Sequence, residues 1–345
     1  MAYTDIDKPS DYFNTVLYTG NGSTQSITGF GHAPDLIWTK ERNNAKDHSW
    51  YDSVRGANQL LESNNTGTDS VTSAGISSFD SDGFTTGNFF QTNDSGDSYV
   101  SWGWKANGTA SSNTDGSITS TVSANTTSGF SIVSWTGNGT YPSTVGHGLG
   151  VAPKMIIIKP RNLAYSWLVY NENIGNNNLL YLEGTNASSG TSAFNNTSPT
   201  SSVFTVNDVQ GNQSSGTYIA YCFAEKKGFS KFGSYVGNGS NDGSYIWTGF
   251  KPAWVMLKRS SASGENWYIK DNKRNIFNPV DNTLYANSSA SEISNWGGAT
   301  TDYLSNGFKL RTTDSAHNGS GATYIYMAFA ENPFVTSTGI PATAR

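Results

Sequence analysis

One segment occurs three times along this chain, and the duplication restricts the fold more than any other feature. Gly20-Asn21-Gly22-Ser23 returns as Gly137-Asn138-Gly139-Thr140 and as Gly237-Asn238-Gly239-Ser240, each two residues after an aromatic: Tyr18, Trp135 or Tyr235. An Ala-Pro or Pro-Ala step then leads into an apolar run, at Ala33-Pro34-Asp35-Leu36-Ile37-Trp38, Ala152-Pro153-Lys154-Met155-Ile156-Ile157 and Pro252-Ala253-Trp254-Val255-Met256-Leu257. A tryptophan opens the next run at Trp50, Trp167 and Trp267, and each unit closes on Tyr99-Val100, Tyr218-Ile219 or Tyr324-Ile325. The glycine, proline and tryptophan anchors shift by 117, 119 and 117 residues from first to second copy, and by 100, 99 and 100 from second to third. Anchors kept in one order at nearly constant offset are the signature of internal duplication.

The closing segment shows what is duplicated. Val100, Trp102 and Trp104 alternate with Ser101 and Gly103; Ile219, Tyr221 and Phe223 with Ala220 and Cys222; Ile325, Met327 and Phe329 with Ala328 and Ala330. A period of two is that of a strand, so the large residues share one core and the small face admits a close layer. Cys222 lies in the row of Gly103 and Ala328 and reads as a small packed residue. Asp80-Ser81-Asp82-Gly83-Phe84 resembles the start of a calcium loop, but its counterpart is Leu304-Ser305-Asn306-Gly307-Phe308. Asp-Gly and Asn-Gly interchange in hairpin turns. The twelfth loop position would be Gln91, which lacks the bidentate carboxylate.

Seven or eight short runs per unit, with a helical turn suggested only over residues 53–63, predict an all-β chain of three tandem homologous β-sandwich or jelly-roll-like domains. The expected boundaries are an N-terminal arm over 1–12 and repeat 1 over 13–106. A Ser/Thr/Asn-rich linker over 107–128 follows, with one edge strand near Ile118 and Val122. Repeat 2 spans 129–226, repeat 3 spans 227–334, and residues 335–345 form a projecting tail. The direct junction Glu225-Lys226-Lys227-Gly228 predicts that repeats 2 and 3 form a rigid pair, with repeat 1 held more loosely.

Formal net charge is −5 with 14% charged residues, which argues against a nucleic-acid partner and against an anionic bilayer. Ten Trp, 18 Tyr and 17 Phe give ample surface to bury, while a single cysteine rules out an intramolecular disulfide. No apolar run approaches the roughly 20 residues of a membrane span. The N-terminal residues lack a signal-peptide pattern, so synthesis in a cytoplasm is expected.

Four histidines occur: His32, His48, His147 and His317. His32 and His147 are near-equivalent, yet the third copy has Thr248-Gly249-Phe250 there, so these read as turn histidines bonded to backbone. No nucleophile motif is present and no acidic pair can be named. Hence no catalytic residue, metal ligand or cofactor is expected. Trp50, Trp167 and Trp267 recur in every copy and read as core. A residue unique to one copy is a better binding candidate, and Trp296, beside Gly297-Gly298, is the one selected.

The runs Tyr18-Thr19-Gly20-Asn21-Gly22-Ser23-Thr24-Gln25-Ser26-Ile27, Asp52-Ser53-Val54-Arg55-Gly56 and Phe79-Asp80-Ser81-Asp82-Gly83-Phe84, with the Ala33–Trp38 segment, carry a family likeness. Over 13–106 they resemble a repeat domain of unassigned function found in tail-fibre and other virion proteins of marine phages of cyanobacteria and pelagic bacteria. The second and third copies keep the Gly-Asn-Gly, proline and closing-strand anchors but depart at the Asp-Ser-Val-Arg-Gly segment. The resemblance implies a virion setting and no site residues. The expectation is a non-enzymatic virion structural protein, a tail fibre, adhesin or surface decoration contributing to host attachment. Its expected partners are other virion proteins, further copies of itself (a trimer by resemblance) and host-surface glycan. The alternative is a protein that binds or depolymerises host polysaccharide.

Overall fold

The computed structural model describes residues 3–295 and 297–342. Strands dominate them, and the helices are single turns. The first repeat contains β1 (Phe13–Thr19), β2 (Gln25–Thr28), β3 (Leu36–Glu41), β4 (Ser49–Asp52) and β5 (Gln59–Glu62). It continues with β6 (Ser70–Val71), β7 (Ile76–Asp80), β8 (Gly83–Thr86) and β9 (Ser98–Trp104). Its large antiparallel sheet has the order β1-β9-β3-β4-β5-β6, and a small sheet, β2-β8-β7, covers one face.

The next strands are β10 (Ser111–Asn113), β11 (Ser120–Asn125), β12 (Phe130–Thr136), β13 (Ser143–Gly146) and β14 (Met155–Pro160). After them come β15 (Leu168–Asn171), β16 (Asn178–Tyr181), β17 (Ser189–Gly190), β18 (Val203–Val206) and β19 (Thr217–Phe223). They form a large sheet β10-β11-β12-β19-β14-β15-β16-β17 and the pair β13-β18. The third set is β20 (Ser230–Val236), β21 (Tyr245–Trp247), β22 (Phe250–Arg259) and β23 (Trp267–Asp271). It ends with β24 (Leu284–Tyr285), β25 (Thr301–Leu304), β26 (Gly307–Leu310) and β27 (Thr323–Pro333), in sheets β20-β27-β22-β23-β24 and β21-β26-β25. One order, first strand–closing strand–proline strand–fourth–fifth, thus occurs three times.

The Gly-Asn-Gly segment fixes the crossing from large to small sheet. A Cβ on Gly20, Gly137 or Gly237 would lie 2.1, 2.2 or 2.4 Å from the carbonyl oxygen of Asp94, Gln213 or Gly319, so only glycine fits there. Asn93, Asn212 and Asn318 close the turn. Each side-chain oxygen accepts the backbone N–H of Asn21, Asn138 or Asn238 at 2.9 Å. Each amide nitrogen donates to the carbonyl of Ser23, Thr140 or Ser240. Beside this clasp the preceding aromatic stacks on the tyrosine second in the closing strand: Tyr18 on Tyr99, Trp135 on Tyr218 and Tyr235 on Tyr324, with centroids 5.0, 5.2 and 4.9 Å apart.

The two faces of the closing strand separate two kinds of core. The small face packs inside its own repeat: Ala220, Cys222 and Ala224 against Val145, Phe204 and Val206, and Ala328 and Ala330 against Ile246 and Phe308. The large face looks outward from each sheet pair, into one cluster shared by all three repeats. Trp38, Trp50, Trp102, Trp104, Trp167, Trp254 and Trp267 belong to it, all fully buried. Ring contacts cross every pairing. Trp50 meets Trp167 at 5.2 Å and Phe13 meets Phe329 at 4.8 Å, while Phe223 meets Phe329 at 6.2 Å. Trp104, Phe223 and Phe329 hold one strand position in the three repeats and touch one another. The centre of the molecule lies between the repeats.

Several expectations change accordingly. Repeat 1 is not loosely held: it supplies four of the seven buried tryptophans of the shared core. Residues 107–128, expected to be a linker with one edge strand near Ile118 and Val122, carry two strands, β10 and β11, which extend the second large sheet, with Ile118 and Val122 buried. Residues 53–63 form a turn and β5, without a helix. The arm over 1–12 is anchored: Thr4 and Ile6 are buried, and the Asp5 N–H donates to the Lys227 carbonyl at 3.0 Å. The described part of the tail, residues 335–342, bends back instead of projecting, with Val335 bridged to Pro341 and the Ser337 N–H donating to Asp7 at 2.6 Å.

The tryptophan anchor also shifts register. Pairing of β3 with β4, β14 with β15 and β22 with β23 makes Asp52, Asn171 and Asp271 equivalent. Trp50 then corresponds to Val169 and Ile269, while Trp167 and Trp267 correspond to His48. A two-residue slip preserves the facing of every side chain, so periodicity could not reveal it.

Candidate functional site

The histidines and the cysteine are buried, and several charged side chains are committed to joints between repeats. The Asp69 N–H donates to the Arg161 carbonyl, that of Ser188 to Ser260, and that of Glu292 to Arg42, at 2.6, 2.9 and 2.7 Å. These link repeat 1 to 2, 2 to 3 and 3 to 1, closing a ring. The tryptophans keep the same cycle: Trp167 Nε1 donates to the Glu62 carbonyl at 3.0 Å and Trp267 Nε1 to that of Tyr181 at 2.8 Å. His48 holds the corresponding place, its Nδ1 accepting from Trp38 Nε1 at 2.7 Å and its ring influenced by the Tyr285 and Ser288 backbone. Burial holds His48 well below its ordinary pKa.

Two joints contain buried ion pairs. Arg55 pairs with Asp52 and with Asp69, whose other oxygen takes Arg161; the Tyr221 hydroxyl of repeat 2 donates to Asp52 at 2.7 Å. Arg274 pairs with Asp271 and with Glu292, which also takes Arg42; Trp102 Nε1 of repeat 1 donates to Asp271 at 3.1 Å. The third copy, although it departs from the first at this segment, therefore keeps Asp and Arg three residues apart. Asn171 and Ile174 stand there in the second copy. Lys40, Lys159 and Lys258, equivalent and fully buried, donate to carbonyls, the latter two reaching Thr66 and Thr185 of the preceding repeat. Burial lowers all three to about 8.

The remaining sequence candidates are placed as follows. His32 Nδ1 lies 2.8 Å from the Ser10 carbonyl, and His147 Nε2 lies 3.2 Å from that of Thr200. His317 is buried against the Tyr268 ring. Burial pushes the Cys222 thiol up. Asp80 and Gly83 pair across the β7–β8 hairpin, and Asp82 accepts the Gly29 and Gly31 N–H groups. No group of three His, Cys, Asp or Glu among the described residues could hold a metal ion. No helix among them is long and apolar enough to cross a membrane. Trp296 lies outside the described residues.

One of the open grooves among the described residues, of about 210 Å³, lies where Tyr3, Phe334 and Val335 meet repeat 3. Tyr3, Trp247 and Phe334 line it, 62%, 58% and 41% exposed, with Glu225, Lys227, Ser230 and Lys231. Trp247 is the one exposed tryptophan among the described residues. It ends β21, and the equivalent positions are Thr28 and Gly146, set by pairing to Gly83, Val203 and Gly307. Gly249, at φ +84°, allows the chain to pass close beneath the indole: a Cβ there would be 3.1 Å from the ring. Lys231 lies 5.7 Å from the Trp247 ring centre and pairs with Glu225 at 2.7 Å. Lys227 lies 6.0 Å from the Tyr3 ring centre. Being unique to one copy was the criterion that selected Trp296; it fits Trp247 equally, and strand register was needed to see it.

No curated protein and no solved structure matches the chain. A family model spanning all three repeats does match, over residues 8–333, and the chain belongs to that family, described as a domain of unknown function (DUF7483).

Proposed function

We propose that this protein is a non-enzymatic structural component of a phage particle, a tail fibre, adhesin or surface decoration whose groove contributes to host attachment. Three tandem homologous sandwich domains, joined head to tail, would be its architecture, and the virion its destination after synthesis in the host cytoplasm. The observation carrying this reading is the division of side chains: the four histidines and two networks of ion pairs are buried, while three exposed rings, Tyr3, Trp247 and Phe334, converge on one groove. Exposed aromatic surface of that kind marks binding more than catalysis. The virion setting rests on the resemblance of residues 13–106. Mass spectrometry of particles purified to homogeneity tests it, and particles lacking this polypeptide would refute it. Mass measurement on recombinant chain, alone and with particles, tests association into trimers.

The second reading, a carbohydrate-binding or glycan-depolymerising protein, is favoured by Trp247. A glycan array combined with a reducing-sugar assay separates the two: binding without cleavage supports an adhesin, and cleavage supports a depolymerase.

A further inference from the structure

Two joints are tied by the same bond, an indole N–H of one repeat donating to a fifth-strand carbonyl of the repeat before it: Trp167 to Glu62 and Trp267 to Tyr181. Strand pairing makes Tyr285 the equivalent of Glu62 and Tyr181, so three-fold repetition would set an indole against it at the third joint. His48 stands there instead, its ring facing the backbone of Tyr285 and Ser288. An indole only donates, whereas an imidazole can take up a proton. His48 is fully buried, and its Nδ1 accepts from Trp38 Nε1 at 2.7 Å, so its own hydrogen sits on Nε2. A second proton has to go to Nδ1. There it meets the indole N–H, two donors face each other in a dry core, and Trp38 loses its acceptor. The charges around the imidazole oppose the proton as well. Lys40 on β3 and Arg274 from repeat 3, both cations, act on it. Three carboxylates flanking the joint are engaged elsewhere: Asp47 with Asn64, Asp271 with Arg274, and Glu292 with Arg274 and Arg42.

We propose that the joint between repeats 3 and 1 is an acid-sensitive latch: proton uptake by His48 loosens this joint while the two tied by tryptophan stay closed. Opening returns the imidazole to water, where it takes a proton near its ordinary value of about 6.5. In the closed joint burial holds it well below that value. The open joint therefore binds the extra proton, so closure is at full strength above about pH 6.5 and weakens as pH falls towards the closed-state value. Within that window a single site raises the open-to-closed ratio by up to about ten-fold per pH unit. The other histidines lie away from this joint. His147 is set against the Thr200 carbonyl and His317 against the Tyr268 ring, each within its own repeat, and His32 lies by the Ser10 carbonyl of the arm. Acid acting through them weakens single repeats and favours no joint.

The test is native-state hydrogen exchange on the full-length protein at pH 7.5 and 5.0, each rate corrected for the intrinsic pH dependence of exchange. The amides of Glu292, Asp69 and Ser188, which donate across the three joints, are the readouts. Protection of Glu292 should fall about ten-fold more than that of Asp69 or Ser188 between the two pH values. His48→Gln keeps an acceptor for the Trp38 N–H and has no site for the proton. It should match wild type at pH 7.5 and abolish the extra loss at pH 5.0. Asp271 and Glu292 are present in that variant as in wild type, which separates His48 from the carboxylates. Three amides weakening equally, or an extra loss at Glu292 that survives His48→Gln, overturns the proposal. Should the variant misfold, the wild-type imidazole is followed by nuclear magnetic resonance. It should still be neutral at pH 5.5, and an imidazole that titrates near 6.5 in the folded chain overturns the proposal as well.

Discussion

Asn318 shows how much one side chain holds in place. Its buried amide nitrogen lies 2.8 Å from the Ser240 carbonyl, the Thr312 carbonyl and the Asn238 side-chain oxygen. Asn318→Ala strands these acceptors at about 1–3 kcal/mol for each one left buried and unpaired. Urea unfolding should show a lower midpoint with an unchanged slope. The Gly-Asn-Gly side of the clasp was legible because three copies preserve it; its asparagine partners stand 72 to 80 residues away, beyond any local pattern. The buried lysines give a pH dependence of definite sign. Lys40, Lys159 and Lys258 titrate near 8 folded and near 10.5 unfolded, so between those values the unfolded chain holds more protons. Stability should therefore rise from pH 8 towards pH 10, above which exposed tyrosines of the unfolded chain ionise and reverse it. Guanidinium midpoints at pH 7.5 and 9.5 test this, and Lys258→Met should flatten the rise.

At the level of elements, the turn after β4, β15 and β23 offers a comparison made by the protein itself. Asp271 and Arg274 form a fully buried pair, whereas Asn171 and Ile174 fill the equivalent positions without charge, Ile174 packing on the shared core. Arg274→Ile alone leaves the Asp271 carboxylate buried with Trp102 Nε1 as its donor from the next repeat, and should cost about 3–5 kcal/mol. Asp271→Asn with Arg274→Ile reproduces the second copy and should recover most of that loss, as chemical denaturation of the three proteins will show. A double variant as unstable as the single one would mean that the ion pair is needed for the joint itself. Strands were legible from alternation, and the hairpin at Gly83 from its Asp-Gly step. Of β10 and β11, only the second was foreshadowed, as one edge strand near Val122, because Ser, Thr and Asn fill both and their pairing partner begins at Phe130. Composition of that kind describes an edge strand and a linker equally well.

For the whole molecule, the decisive fact is that the largest core belongs to no single repeat. Alternation in the closing strand told which residues were buried; it could not tell whether the large face met the small sheet or another repeat, since both environments are apolar. The joints are heterologous: at two of them one repeat's fourth strand receives its neighbour's closing strand, Asp52 taking Tyr221 and Asp271 taking Trp102, and such contacts either propagate or close. Here three of them close within one chain. It follows that the repeats should not melt separately. Calorimetry should give one transition, with calorimetric and van't Hoff enthalpies equal. Trp104 is the place to press the point, because its ring touches Phe13 of its own repeat, Phe223 of the second, and Trp254 and Phe329 of the third. Trp104→Ala should cost about 3–5 kcal/mol, lowering that single transition by about 4–7 °C in a chain of this size. Phe84→Ala, which opens only the core between the two sheets of repeat 1, should move the same transition and split nothing off. Two or three resolved transitions in either variant, with one of them unshifted, would show that the repeats are separable domains and that the shared aromatic centre is a contact surface and no common core.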